Sequence, residues 1–199
     1  YVKTAGDNTV MTAEQMKAVA DAVKALATPA TVDFSEVVYE SETFPNSFKS
    51  NANLAGIVFP QNVTKTASAA FQKTGMTSVT LLKGISYGSN AFDSCASLVS
   101  VTVEEGVTEI GNYMFQNTKL TDVTLPNSVT KIGASAFNGC SLTTINFGQG
   151  VKTIENSAFQ NCGELTEIIL PDATETLGQN AFGDCPKLAK ISLGKNMKT

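Results

Sequence analysis

Two pairs of neighbouring carboxylates are the residues of this 199-residue chain with the clearest catalytic potential. They are Glu104 with Glu105 and Glu164 with Glu167. Two carboxylic acids that flank a glycosidic bond can act as general acid and general base, provided that both face one cleft. The residues around these pairs instead predict turns and strand surfaces, where charged side chains are solvated. We therefore expect no catalysis and no cofactor.

The four cysteines could in principle form a metal or redox cluster. The chain contains no His, which is the commonest zinc ligand, and no C-x-x-C pair. Cys140, Cys162 and Cys185 are 22 and 23 residues apart, which equals a repeat period described below, and Cys95 holds the same place in the repeat. We therefore predict no metal site, but a buried column of small, weakly hydrogen-bonding side chains whose thiols are reduced.

The charge and hydropathy of the chain exclude two classes of partner. The formal net charge is −4, and Lys and Arg are not clustered as nucleic-acid binding requires. No apolar stretch approaches the roughly 18 residues of a membrane span, so we expect no membrane insertion. The chain opens on Tyr1 without a signal-like segment, which is typical of a mature form.

Seven phenylalanines recur at intervals of 21 to 23 residues. They are Phe48, Phe71, Phe92, Phe115, Phe137, Phe159 and Phe182. A period in the low twenties indicates a small unit that cannot bury its own apolar side and stacks on copies of itself. The chain is therefore predicted to be a solenoid, in which each coil contacts only its neighbours.

Each repeat also contains a predicted strand. Five or six residues after the Phe comes Leu or Met, then Ile or Val three residues later, and an apolar residue two beyond that. Alternation with β-branched residues predicts a short strand with one buried face. The expected fold is an α/β solenoid with a parallel sheet on one side and short helical turns or irregular segments at the Phe positions. In the short third coil, Gly84 and Tyr87 are assigned to the Val and Ile columns that follow the strand.

The N-terminal segment differs from the repeats. Thr12 and Gln15 fit a capping box, and apolar residues at helical spacing follow until Pro29. We predict an N-terminal cap over 1–47, with a helix at 13–27 and an irregular strand, followed by seven repeats over 48–199. The chain stops at Thr199 inside a repeat, so this end is expected to be truncated or uncapped.

The repeat resembles the BspA-like (Treponema pallidum-type) leucine-rich repeat. The resemblance is carried by the run from Ile132 to Ile145, by Leu165 to Pro171 and by Ala181 to Leu188, and it covers about residues 48–199. It implies a right-handed superhelix and a protein exported to the cell surface or secreted. Several proteins of this kind act as adhesins for host or bacterial proteins, so the resemblance implies an extracellular or surface protein as partner.

Leucine-rich repeat proteins usually bind through the concave face of the sheet, and its outward positions can be assigned here. The predicted partner-binding residues are Ser78, Thr80, Ser100, Thr102, Asp122, Thr124, Thr144, Asn146, Glu167 and Ile169. They could form a shallow platform for a protein or, less favoured, a glycan. They could also be ordinary soluble strand surface. A structural spacer without a ligand of its own is the alternative function. We expect a monomer, with end-to-end association as the alternative.

Overall fold

Parallel strands in a regular succession of coils form the body of the protein. The structure, a computed structural model, describes residues 10–198. Residues 1–9 of the predicted cap and Thr199 of the predicted last repeat lie outside the described residues. We number the coils one to seven by their phenylalanines, from Phe48 to Phe182. Each coil passes through a first strand row, a second strand row and a turn that carries the Phe.

The first strand row is built from hydrogen-bonded parallel pairs, β2–β5, β7–β8, β10–β12 and β14–β16. Its strands are β2 (Ala30–Asp33), β5 (Leu54–Val58), β7 (Ser78–Leu81), β8 (Ser100–Val103), β10 (Asp122–Thr124), β12 (Thr144–Asn146), β14 (Glu167–Ile169) and β16 (Lys190–Ser192). Alternate residues of these strands point inward, as the sequence pattern predicts. The predicted parallel sheet is confirmed.

The second strand row consists of two-residue strands that follow the first row in each coil. Its strands are β4 (Thr43–Phe44), β6 (Lys65–Thr66), β9 (Glu109–Ile110), β11 (Lys131–Ile132), β13 (Thr153–Ile154) and β15 (Thr176–Leu177). Two parallel sheets make up this row, β4–β6 and β9–β11–β13–β15. Coil three contributes only a single bridge, between Lys65 and Ser86.

The phenylalanine column forms the centre of the core. Five successive ring pairs from Phe71 to Phe182 have centroids 5.2–5.6 Å apart and interplanar angles of 8–18°. The stack is not continuous at its start, because Phe44 lies between Phe48 and Phe71, at 5.9 and 5.6 Å. Phe44 is fully buried. It comes from the second strand row, where coils four to seven carry Ile or Leu.

The Phe turns are irregular rather than helical. From Phe71 onward, the residues two before and two after each Phe have left-handed backbones, with φ between 53° and 61° at every non-glycine position. Alternation of left-handed and right-handed residues turns every second amide toward the same side. In coil three, the N–H groups of Asn90, Phe92 and Ser94 donate to the carbonyls of residues 112, 114 and 116 of coil four. The other turns repeat this direction, so each turn is hydrogen-bonded to the next.

The N-terminal helix α1 (Ala13–Lys24) begins with the predicted capping box. Thr12 Oγ1 accepts from the Gln15 amide, and Gln15 Oε1 accepts from the Thr12 amide at 2.9 Å. The helix ends three residues before the predicted boundary, because Asn53 Nδ2 donates to the free carbonyls of Lys24 and Leu26. Met16, Ala20 and Val23 form its buried face.

The segment between the helix and Phe48 already runs in register with the repeats. Strand β2 pairs with β5, and the register shifts between Ala30 and Thr31 because β5 contains the additional residue Ala55. Strand β1 (Val10–Met11) pairs in parallel with β3 (Val38–Tyr39). The division of the chain into cap and repeats at residue 47 stays a prediction.

Candidate binding surface on the first strand row

All ten predicted partner-binding residues lie on the first strand row, and all of them are solvent-exposed. They form two columns. One column contains Ser78, Ser100, Asp122, Thr144 and Glu167. The other lies two residues later along each strand and contains Thr80, Thr102, Thr124, Asn146 and Ile169. Neighbouring strands in a sheet lie about 4.8 Å apart, so successive members of a column are direct neighbours. We call these two columns the strand-face columns.

The chemistry of the strand-face columns changes along the solenoid. Coils near the N-terminus contribute small hydroxyl groups, which can donate and accept hydrogen bonds. Toward the C-terminus the columns gain a carboxylate, an amide and the side chain of Ile169, which is 61% exposed. The register of β14 with β16 continues the two columns to Lys190 and Ser192. Ile169 is therefore the single large apolar side chain among the ten.

A shallow depression lies at this C-terminal part of the face, between the coils of β12 and β14. Its volume is about 550 Å³. The predicted residues Thr144, Asn146, Glu167 and Ile169 line it, and Gln149 and Asp172 complete its edge. The buried ring of Phe147 and the buried side chain of Leu170 form its floor. Gln149 and Asp172 were missed because they follow the strands, where the repeat leaves no periodic signal.

Ion pairs near this depression link coil seven to β16 and the residues that follow it. Lys195 Nζ lies 2.7 Å from Asp172 Oδ2, and this contact holds the pKa of the Asp172 carboxyl below its ordinary value. The Lys190 ammonium forms a second ion pair, with the Glu167 carboxylate. Exposed pairs of this kind contribute little to stability, because water and salt screen them. Their main effect here is to fix charged groups at the edge of the depression.

The two carboxylate pairs that could do acid–base chemistry are engaged in contacts between coils. Glu164 Oε2 lies 2.6 Å from Lys187 Nζ, and Glu167 pairs with Lys190. Glu104 Oε2 accepts the backbone N–H of Lys83 at 2.9 Å. The depression beside Ile169 is lined by Glu167 but not by its sequence partner Glu164.

The cysteines lie in the predicted column of small residues beneath the turns. The structure confirms that this column is buried at Cys95, Cys140 and Cys162, and Cys185 is half-buried. Each thiol donates to the carbonyl of the Phe one coil earlier, at 3.0–3.3 Å. Burial raises the pKa of Cys140 to about 11 and also raises the pKa of Cys162. Within residues 10–198, no group of three or more Cys, Asp and Glu side chains is arranged to hold a metal ion.

These thiols are expected to resist labelling by a soluble aromatic disulfide at pH 8. A thiol with a pKa of about 11 has a thiolate fraction on the order of 10⁻³ at this pH, against about a quarter for a free cysteine. Cys185 should react first, because it is the half-buried one. Mass spectrometry of the labelled peptides measures the order. Rapid labelling of Cys140 in the folded protein would contradict the buried column.

No helix in the described part of the chain is long and apolar enough to span a membrane. This finding agrees with the hydropathy of the sequence.

Comparison with known proteins identifies the repeat. The model of the BspA type leucine rich repeat region matches residues 31–95 and 86–199, with six copies. No curated protein matches the chain. A leucine-rich repeat protein from Eubacterium ventriosum is similar in structure, with 24% identity, a TM-score of 0.58 and coverage of 81% of this chain and 52% of that one.

Two other solved structures are similar over much of this chain. A leucine rich cell surface protein from Faecalibacterium prausnitzii has 22% identity and a TM-score of 0.47, over 84% of this chain and 65% of that one. The leucine rich repeat protein of T. pallidum has 22% identity and a TM-score of 0.44, over 82% and 63%. This chain thus spans less than two thirds of the length of each of the three proteins. The match to the family model covers most of the chain, and the chain belongs to the BspA-type leucine-rich repeat family.

Proposed function

We propose that this chain is a non-catalytic protein-binding module of a bacterial cell-surface or secreted protein, and that it binds through the strand-face columns. The observation that supports this proposal is the contrast between the two sides of the strands. The inward residues repeat from coil to coil, whereas the outward ones change from hydroxyls to charges and to an exposed isoleucine beside a depression.

A protein partner fits this surface better than a glycan. The strand-face columns carry no aromatic side chain among the residues described, and aromatic rings are the usual stacking platforms for sugars. Ile169 and the apolar floor of the depression suit an aliphatic or aromatic side chain of a protein partner. Because the surface has few large anchors, we expect modest affinity for one chain and stronger binding when several chains are presented together.

Family membership supports a surface location and an adhesive role. The resemblance of the repeat to exported adhesins supports a partner on a host or bacterial surface. The engagement of Glu104, Glu164 and Glu167 in contacts between coils supports a role without catalysis.

Surface plasmon resonance over immobilised fibronectin, laminin and collagen tests the proposal. The folded chain is expected to bind at least one of them saturably. Ile169→Lys should weaken that binding about tenfold or more, which corresponds to about 1.4 kcal/mol or more for an interface anchor. The binding weakens because the variant loses the exposed apolar side chain and places a charge at the depression.

Thr176→Lys is the matched control, because it adds the same charge on the second strand row, at another exposed position. It should leave the affinity unchanged. Equal weakening by both variants would show that binding does not use the strand-face columns. The absence of saturable binding to all three proteins would favour a spacer without a ligand of its own.

A further inference from the structure

Strand β2 is the N-terminal edge of the first strand row. The Phe34 amide donates to the Val58 carbonyl of β5, so this side of the strand faces coil two. Neighbouring residues of a strand direct their backbone groups to opposite sides. The N–H and C=O groups of Thr31 and Asp33 therefore point away from coil two, and among residues 10–198 they have no backbone partner.

Strand β16 is the C-terminal edge of the same row. The Ser192 carbonyl accepts from the Leu170 amide of coil seven, so the backbone groups of the neighbouring Ile191 point the other way. They too lack a backbone partner in the part of the chain that the structure describes. The side chains of Ile191 and Leu193 are 44% and 61% exposed, whereas Ile168 and Leu170, at the same places of coil seven, are buried. The core is therefore uncovered at this edge.

The two ends complement each other at the Phe turns as well. Helix α1 takes the place of a turn before coil one, because the Asn51 side chain donates to the Ala20 carbonyl where the later cysteines of this column donate to the Phe carbonyl one coil earlier. At the other end, the amides of Asn180, Phe182 and Asp184 have no backbone acceptor within residues 10–198. The corresponding amides of coils two to six all donate to the next turn. Among the described residues, one end thus carries a turn without a strand, and the other carries a strand without a turn.

Charge also distinguishes the two ends. Residues 187–198 contain four lysines and no carboxylate, whereas residues 10–47 contain six carboxylates and two lysines. All of these side chains are exposed. Each of the four lysines pairs with a carboxylate 23 residues earlier in the chain. Because an ammonium group has three donors, it can bind a second carboxylate on its other side.

Helix α1 presents two of the N-terminal carboxylates. Glu14 and Asp21 are seven residues apart, so they share one face of the helix, and this face lies opposite the buried Met16, Ala20 and Val23. Both carboxylates therefore point away from coil one. They suit the free amides of an open Phe turn, which carry a positive partial charge.

We propose that copies of this chain associate head to tail, with β16 of one copy added in parallel to β2 of the next. In the register of the existing pairs, Ile191 lies opposite Val32, so its N–H and C=O meet the Thr31 carbonyl and the Asp33 amide. Helix α1 of the second copy then covers the open turn at Phe182. End-to-end association, the alternative to a monomer, is the state that these two ends favour.

Sedimentation velocity of the full chain, from micromolar to millimolar concentration, tests this association and requires no ligand of the strand-face columns. We expect the average mass to rise past that of a dimer, because a head-to-tail interface leaves a free end on every species. A chain that stays monomeric throughout would overturn the proposal. So would association that stops at a dimer, since that result would indicate contact between like ends.

Two variants, each altered at one end, identify the interface. Asp33→Lys places a positive charge at the β2 edge, against the lysines of residues 187–198, and Leu193→Lys places a charge on the uncovered core at β16. Each variant alone should stay monomeric. An equimolar mixture should form a dimer and nothing larger, because each variant contributes its one unaltered end.

Val99→Lys is the matched control, because it replaces another exposed apolar side chain by lysine, within the body of the solenoid. It should associate like the unaltered chain. Circular dichroism of all three variants establishes that they are folded as the unaltered chain is. A mixture of the two end variants that stays monomeric, or an equal loss of association in Val99→Lys, would overturn the proposal.

Discussion

Phe137→Ala is expected to lower the free energy of unfolding by about 3–5 kcal/mol. Phe137 is fully buried, and its ring stacks between Phe115 at 5.5 Å and Phe159 at 5.2 Å. Its removal leaves a cavity that the neighbouring coils cannot fill, because their backbones are fixed by hydrogen bonds on both sides. The effect should be large for one more reason: each coil of a solenoid is stabilised only by its neighbours.

Thr124→Ala is the control for this prediction, because Thr124 lies on an exposed strand position of coil five. It should change the free energy of unfolding by no more than about 0.5 kcal/mol. The free energies of unfolding of both variants are measured by urea unfolding, monitored by circular dichroism. Similar midpoints for the two variants would contradict the placement of the Phe column at the centre of the core.

Gly148→Ala is expected to destabilise the protein by about 1–3 kcal/mol or more. Gly148 follows strand β12 at the place where coils two, five and seven carry a proline. A Cβ at this position would lie 2.2 Å from the carbonyl oxygen and 2.5 Å from the carbonyl carbon of Pro126 in the preceding coil. Since both atoms belong to backbone, the two coils would have to move apart.

Gly163→Ala is the matched control, because a Cβ at Gly163 would meet no atom within 4 Å. It should be neutral or slightly stabilising, because alanine restricts the unfolded chain. Differential scanning calorimetry of the two variants measures the contrast. A Gly148→Ala protein as stable as the Gly163→Ala protein would show that the coils are less closely packed at this corner.

The features that repeat in every coil could be predicted from the sequence. The period of the phenylalanines, the strand pattern and the capping box of Thr12 each depend on local residue type, so the fold follows from them. The outward positions of the strand face follow from simple alternation, which is why all ten predicted residues are exposed. Whether they bind a partner depends on chemistry that alternation does not encode.

The features that depend on how coils meet could not be predicted. The insertion of Phe44 into the ring stack depends on the packing of the first coil, and the sequence shows only an additional Phe. The left-handed residues of the turns include Ala69, Lys73 and Tyr113, whose types do not favour that conformation. The incomplete second-row pairing of coil three depends on which residue of that coil is missing, and the alignment of apolar columns placed Gly84 where Ile85 lies, since the Ile85 amide makes the turn bond that the Val column makes in the other coils.

The Phe turns hydrogen-bond in one direction only, and this gives the molecule a net dipole along the axis of the solenoid. Each peptide group carries a dipole of about 3.5 D, and most sheets cancel such dipoles because neighbouring groups alternate. Here every second peptide group of a Phe turn points its N–H toward the following coil and its carbonyl toward the preceding one. The partial charges therefore add along the axis, negative toward coil one and positive toward coil seven. A similar solenoid could extend this row of turns only head to tail. Two like ends would place N–H groups against N–H groups, or carbonyls against carbonyls.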